Sequence, residues 1–505
     1  MCGIVGFIDF KKKTSLLELE SMTHTLTHRG PDAFGVEEIG LTQCKVGLGH
    51  RRLSIIDLSA GGKQPMLFDK YWICFNGEVY NYKEIKSELI KLGHSFKSSS
   101  DTEVVLHAFV EWGRPCLEKL IGMFAFVIVD IGKNQLFCAR DRAGIKPFYY
   151  YFKDGLFLFG SELKAFHEHE RFDKRIDKNA VAAFMQYGNV PTPHCIFESC
   201  FKLKPGHFFE VSLASESDVR VSPKDQIQYW NVYDAYNKPK LDMSFEDAKK
   251  QTEKVLIDAC NYRMVSDVPV GVFLSGGYDS ASVTALLQKE RTEKLKTFTI
   301  SVPDIGLDEA PYAKEIAAYL GTNHTEIQCT HKEAIELIGD LPYYYDEPFA
   351  DSSAIPTTLV SLAARKHVTV ALSADAGDEV FAGYNRYDYI QRYGNKINRI
   401  PSFMRKIMAS GMDKIPSNYI PFLRHKYNFH NRYEKVKGVL KNPSEEQIML
   451  SLSQQFTDQQ IEKLLKEKVD VLDTAYSSHE LNKEHFSSLS YMMAIDYQTY
   501  LIDDI

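Results

Sequence analysis

No CxxC pair and no histidine–cysteine cluster at zinc spacing occurs in this chain. Its nine cysteines are scattered at positions 2, 44, 74, 116, 138, 195, 200, 260 and 329. That argues against a zinc module. An odd, dispersed set without a secretory leader is expected of free thiols in a reducing cytoplasm. No apolar stretch approaches the roughly 20 residues needed to span a bilayer; runs such as Met123 to Val129 have the length of a strand, so a soluble protein is expected. A formal net charge of -7 leaves no basic footprint for nucleic acid. There is no internal repeat and no low-complexity tract. What remains is a globular composition, 44% hydrophobic and 25% charged, in 505 residues, enough for two or three domains.

Residues 1–210 carry short apolar runs that predict strands: Ile4 to Ile8, Trp72 to Phe75, Met123 to Val129, Phe148 to Phe152 and Leu156 to Phe159. Turn chemistry at Asn76-Gly77, Asp154-Gly155 and Pro205-Gly206 separates them. Tyr82 to Leu92 and Glu103 to Trp112 have helical spacing instead, giving a sheet-rich α+β domain. The polar stretch 211–244 reads as a linker. From 245 to 505, strand and helix alternate, which predicts a parallel sheet covered on both faces. The strands are Val268 to Leu274, Lys296 to Val302 and Val368 to Leu372; the helices are Ser280 to Lys289 and Ala310 to Leu320. Beyond about Ile390 the chain reads as helical and charge-laced.

Cys2 becomes the first residue if Met1 is removed, and then one residue holds both a thiol and an amine. The unperturbed thiol titrates at about 8.5 and an α-amine at about 7.7 to 8.0, so the amine is a built-in general base. Alone, such a cysteine is more often a small buried hydrophobe. Four further motifs follow: His28-Arg29-Gly30-Pro31-Asp32, His50-Arg51-Arg52-Leu53-Ser54-Ile55, Phe75-Asn76-Gly77-Glu78-Val79-Tyr80-Asn81 and Ser100-Asp101-Thr102-Glu103. Individually, Asn76-Gly77 reads first as a hairpin turn, the commoner use of that dipeptide, and Arg52 with Asp101 as a surface ion pair of little weight.

Taken together and in this order, the motifs closely resemble the class II glutamine amidotransferase domain, as do Ala139 to Pro147 and Gly160 to Lys164. The resemblance implies two antiparallel sheets between helices in a four-layer domain, with Cys2 as the nucleophile that hydrolyses the side-chain amide of glutamine. It implies that the Asn76 side chain and the Gly77 backbone N–H form the oxyanion hole. A thiolate attacking an amide needs such donors in place. Arg52 then takes the α-carboxylate of glutamine and Asp101 its ammonium, with Leu53, Ser54, Ile55, Ile56 and Glu78 lining the rest of the pocket.

In the second half, Val270 to Leu274 leads into Ser275-Gly276-Gly277, and Asp279-Ser280 opens a helix. Backbone N–H groups in such a turn cradle phosphate, although an ordinary capped strand-to-helix turn has the same look. The Walker lysine is absent. The run matches the SGGxDS pyrophosphate loop of ATP pyrophosphatases. With Leu372 to Tyr384, Asp346-Glu347-Pro348 and Asp351-Ser352-Ser353, it resembles the asparagine synthetase family. That resemblance implies an ATP site from Leu274, Ser275, Gly276, Gly277, Asp279, Ser280, Ile300, Ser373 and Ala374, Mg2+ on Asp279 and Asp378, and a catalytic carboxylate at Asp375.

Three residues depart from the family pattern: Tyr278 replaces a small aliphatic, and Ala374 and Ala376 stand where glycines are common. Relatives also continue well beyond Tyr500 to Ile505, and their further segment normally supplies a lysine to the synthetase site. The implied activity is a two-site enzyme in which ammonia from glutamine amidates an ATP-activated carboxylate. Aspartate is the leading acceptor. A uronic acid of a surface polysaccharide, or a glutaminase relic without synthesis, stays open as an alternative. The expected partners are small molecules, with neither nucleic acid nor membrane, and a homodimer paired through the N-terminal domain is possible.

Overall fold

The computed structural model describes residues 1–301, 308–415, 417–420, 429–442, 444–470, 472–477 and 487–504; Val302 and Ile505 lie outside them. Two six-stranded sheets dominate the N-terminal half. One runs in the order Cys200–Lys202, Tyr149–Lys153, Leu156–Gly160, Gly3–Asp9, Lys45–Arg52, Ala33–Gly40. The other runs Ile227–Gln228, His207–Ser212, Gln135–Arg140, Gly122–Asp130, Tyr71–Val79, Met66–Phe68. Every paired strand is antiparallel.

The sheets face each other across one apolar layer, in which Ile4, Ile8, Val46 and Leu48 of the first meet Cys74, Val127, Cys138 and Phe209 of the second. The outer face of the second sheet, with Ile73, Phe75 and Phe126, packs on Ile85 and Leu89 of the helix Tyr82–Lys91 and on Val104 and Val105 of the helix Asp101–Trp112. Leu19 and Met22 of the helix Leu16–His24 cover Val5, Phe7 and Leu158 of the first. The expected four-layer order of helix, sheet, sheet and helix is present. Strands buried on both faces explain why these segments read as continuous apolar runs rather than alternating ones.

Asn76-Gly77 is not a turn. Both residues lie inside the strand Tyr71–Val79, opposite Ala125 and Phe124. A Cβ on Gly77 would collide with the Met123 carbonyl, so close backbone approach, not turn geometry, demands glycine here. Asp154-Gly155 does turn, with both residues at positive φ, 50° and 71°.

The second half holds a parallel sheet in the order Asn323–Gln328, Lys296–Ser301, Val270–Phe273, Val370–Leu372. Val272 packs toward Cys260 and Leu287 on one face, while Phe298 meets Val360 and Ala364 on the other. Chain order reverses beside Val270–Phe273, whose next strand lies to one side and Val370–Leu372 to the other. That leaves a crevice at the carboxyl ends of these two strands, where open α/β sheets bind ligands. Further on, the helices Asn385–Asn398, Glu445–Ser453 and Ser488–Gln498 share a core of Tyr387, Met449, Tyr491, Met492 and Ile495. Val232 and Tyr233, from the short helix Val232–Tyr236, join that core.

Candidate active site

Of the nine cysteines, all free, eight are buried and Cys2 is half-buried. It stands at the mouth of a pocket walled by three elements. Strand Lys45–Arg52 and its following loop supply Arg52, Leu53, Ile55 and Ile56; strand Tyr71–Val79 supplies Phe75, Asn76, Gly77 and Glu78; and the start of the helix Asp101–Trp112 supplies Asp101 and Thr102. The Leu53 N–H donates to Cys2 Sγ at 3.4 Å. Burial pushes the Cys2 thiol up, opposed by the terminal ammonium and by that N–H.

Arg52 and Asp101 are buried, 7% and 5% exposed, which rules out a surface ion pair. The Arg52 guanidinium is held by carbonyls of the next loop: Nη1 donates to Ser59 O at 2.8 Å, and Nη2 to Ile56 O at 3.3 Å and to Asp57 O. Asp101 accepts the Val79 N–H at 3.0 Å, yet burial still lifts its carboxyl to about 6. Burial also raises Glu78, to about 7, with Lys146 pulling the other way.

Asn76 is fully buried; its Nδ2 donates to Ser161 Oγ at 3.4 Å, and its Oδ1 has no partner. Ser161 Oγ already accepts the Ile4 N–H at 3.0 Å, so its own proton is free for an acceptor. Turning the amide end for end gives Oδ1 that proton and leaves Nδ2 for the pocket.

Ser54 does not line the pocket: its N–H donates to Asp32 Oδ2 at 2.8 Å. The pocket adds Met1, Gln64, Phe75, Ser100, Thr102 and Lys146 to the expected residues. Lys146 is buried, and its Nζ donates to Met1 Sδ at 3.1 Å; it had a signal in the run Ala139 to Pro147. Gln64 had none. It accepts the Phe75 N–H at 2.6 Å and donates to Thr102 Oγ1 at 3.1 Å, tying strand to helix.

In the crevice of the parallel sheet, Leu274 to Gly277 form the loop and Gly277 caps the helix Tyr278–Lys289. Ser280 Oγ accepts the Ser275 N–H at 3.0 Å and Ser275 Oγ accepts the Gly277 N–H at 3.1 Å, which closes the turn. Tyr278, the first residue of that helix, is 93% exposed. The loop after Val370–Leu372 meets the first one closely, since a Cβ on Gly377 would lie 2.5 Å from Asp279 Oδ2. Asp378 is pushed up by burial and then by Asp279. Ala376 has φ +71°, the strained position anticipated for an alanine, whereas Ala374 lies outside the positive-φ set. Ser373 Oγ donates to Asp375 at the exposed rim. Ile300, half-buried, packs with Phe273 and Phe298.

Two facing carboxylates suit a hard divalent cation that completes its shell with phosphate oxygens and water. Among the described residues, no group of three or more His, Cys, Asp or Glu side chains could hold a metal ion by itself.

Residues 1–224 match the model of a glutamine amidotransferase domain, and residues 251–505 that of asparagine synthase. The chain belongs to the asparagine synthetase family. A protein of Methanocaldococcus jannaschii, provisionally named a glutamine-hydrolysing asparagine synthetase 2, is 39% identical over 429 residues, covering 81% of this chain and 80% of that one. Glutamine-hydrolysing asparagine synthetase 1 of Bacillus subtilis is 36% identical over 414 residues, covering 81% of this chain but 62% of its own length, less than two thirds. A solved B. subtilis glutamine phosphoribosylpyrophosphate amidotransferase matches with TM-score 0.33 and 16% identity, over 64% of this chain and 65% of that one. ATP is a family substrate.

In this asparagine synthetase family chain, Asp346 and Glu347 lie at the contact between the two halves. Lys164 reaches Asp346 at 2.8 Å; Lys202 reaches Glu347 at 2.7 Å, and Glu347 also accepts the Ile196 N–H at 2.8 Å. Lys164 pairs with Glu162, which binds Arg29 at 2.7 Å, and Arg29 donates to the Cys2 carbonyl at 2.9 Å. A continuous polar chain thus runs from Cys2 to the second domain. No described helix is long and apolar enough to cross a membrane.

Proposed function

We propose that this chain is a glutamine-dependent asparagine synthetase acting in the cytoplasm. Ammonia released from glutamine at Cys2 amidates a β-aspartyl-AMP formed from ATP and aspartate, giving asparagine, glutamate, AMP and pyrophosphate. The observation that carries this reading is one pocket in which a thiol, a buried amide with an unpartnered oxygen, a cation and an anion converge.

Removing Met1 frees the Cys2 amine. The freed amine, whose ordinary value is about 7.7 to 8.0, can take the thiol proton near neutral pH. The thiolate attacks the amide carbon of glutamine, and Asn76 Nδ2 with the Gly77 N–H stabilises the oxyanion. The protonated amine then gives its proton to the leaving nitrogen, which departs as ammonia. Water, activated by the same amine, hydrolyses the thioester to glutamate. Arg52 and Asp101 hold the two ends of glutamine throughout, and Leu53, Ile55, Ile56 and Glu78 shape the space between.

At the second site, the loop Leu274 to Gly277 and the helix start at Asp279 and Ser280 receive the pyrophosphate, whose oxygens take over the Ser275 and Gly277 N–H bonds that close the turn on Ser280 Oγ and Ser275 Oγ. Ile300, Ser373 and Ala374 face the nucleoside, and Asp375 serves the acyl-adenylate. Asp279 and Asp378 would hold Mg2+, which neutralises phosphate charge when bound. Ammonia must arrive unprotonated.

The test is pyrophosphate release with glutamine, ATP and Mg2+. The reading expects it to require aspartate and to match asparagine formed; release with a uronic acid instead, or glutamate without pyrophosphate under any acceptor, contradicts it.

A further inference from the structure

The carbonyls that hold Arg52 belong to a turn centred on Asp57, a non-glycine residue at φ +57°. Such a conformation persists only when its surroundings over-determine it. From within its own domain, Asp57 accepts the Ser59 N–H at 3.0 Å and the Ser59 hydroxyl at 2.5 Å on Oδ1, and the Ser99 N–H at 2.9 Å on Oδ2. Its remaining backbone donor goes elsewhere: the Asp57 N–H donates to Asp267 Oδ2 at 2.9 Å, and the Asp267 N–H returns to Ile55 O at 2.9 Å. These reciprocal bonds grip both sides of Ile56, which lines the pocket.

Asp267 belongs to the segment that leads into the nucleotide site. Its neighbours dock on the N-terminal domain: Tyr262 donates to Glu84 at 3.3 Å, Arg263 lies 5.6 Å over the Tyr80 ring, and Val265 packs on the cluster of Phe75, Val79 and Val104. Ser266 Oγ accepts the Val268 N–H at 3.1 Å, which turns the chain directly into strand Val270–Phe273 and the Ser275 loop.

We propose that Asp267, a residue outside the amidotransferase domain, is a positioning residue of the glutamine pocket: its carboxylate fixes the left-handed Asp57 turn, and that turn aims Arg52 at the substrate carboxylate. The inference rests on the glutaminase reading of the first pocket. It makes glutamine affinity depend on how the nucleotide-binding half is seated.

The experiment measures glutamate release and ammonium-driven pyrophosphate release in the full chain and in Asp267→Ala and Asp267→Asn. Asp267 is exposed, so truncation leaves the core intact. Asp267→Ala is expected to raise KM for glutamine about fivefold, the loss of one hydrogen bond. Its kcat and its ammonium-driven rate should stay within about twofold, as in uniform binding loss. Asp267→Asn keeps an acceptor oxygen and should hold KM within about twofold of wild type. An unchanged KM in Asp267→Ala, an Asp267→Asn variant as impaired as Asp267→Ala, or an ammonium-driven rate falling in step overturns the inference alone. A wild-type chain that releases no glutamate overturns the glutaminase reading and the inference with it.

Discussion

Asp101 links function to instability in a way that can be measured. Its carboxyl titrates at about 6 in the folded chain, against an ordinary 3.8, because burial outweighs the helix N-terminus and the Val79 N–H. Between these values the folded state binds more protons than the unfolded one, so stability from this residue falls as pH rises from about 4 to about 6. Two units at about 1.4 kcal/mol each make the ionised carboxylate cost about 3 kcal/mol above pH 6, and about half that at pH 5. Asp101→Asn removes the charge and keeps an oxygen for the Val79 N–H. We expect it to stabilise the chain at pH 8 by about 1–3 kcal/mol, a rise of about 2–12 °C in the N-terminal transition, and by less at pH 5. The same change should lower kcat/KM for glutamine at least about 100-fold, since the ammonium loses its buried anion. Thermal melts at the two pH values and a glutamate assay read both effects. A variant no more stable than wild type at pH 8, or a gain that ignores pH, would show that the buried Asp101 charge does not cost stability.

Gly62→Ala sets a Cβ against Arg52 Nη2 and should raise KM for glutamine by about tenfold or more, leaving ammonium-driven synthesis intact; steady-state kinetics with both nitrogen sources checks this. Ala376→Gly relieves a positive φ and should keep or raise the melting temperature, whereas Ala374→Gly should lose about 0.5–1 kcal/mol by denaturant titration. Asp378→Asn should abolish pyrophosphate release with either nitrogen source while glutamate release persists, measured on one preparation.

The apolar strands were legible because burial on both faces leaves continuous runs such as Met123 to Val129. Lys45–Arg52 was not legible as a strand, since Gly47, Gly49, His50, Arg51 and Arg52 are buried there through backbone pairing and specific hydrogen bonds rather than through apolar side chains. Asn323–Gln328 was hidden for the opposite reason, being an edge strand whose residues are mostly polar and solvent-facing. Asn76-Gly77 carried a turn signature into the middle of a strand, because the pocket needs an amide there and the neighbouring backbone leaves no room for a Cβ. The pocket residues Arg52, Asn76 and Asp101 were readable from motifs with fixed chemistry. Gln64 and Asp267 were not, because they act by hydrogen bonds that tie separate elements together, Gln64 to the Phe75 N–H and the Thr102 hydroxyl and Asp267 to the Asp57 N–H, and no spacing rule reports that. The anticipated strain at Ala376 was readable from residue type alone, and its absence at Ala374 needed the fold.

In the proposed reaction Cys2 makes ammonia for the second site and does nothing else there. That role is tested by comparing asparagine formation in the wild-type chain and in Cys2→Ala with glutamine or with ammonium as the only nitrogen source. Cys2→Ala is expected to lose all glutamine-driven synthesis and to keep ammonium-driven synthesis near the wild-type rate. Glutamine-driven synthesis that survives in Cys2→Ala, or ammonium-driven synthesis lost along with it, would contradict it.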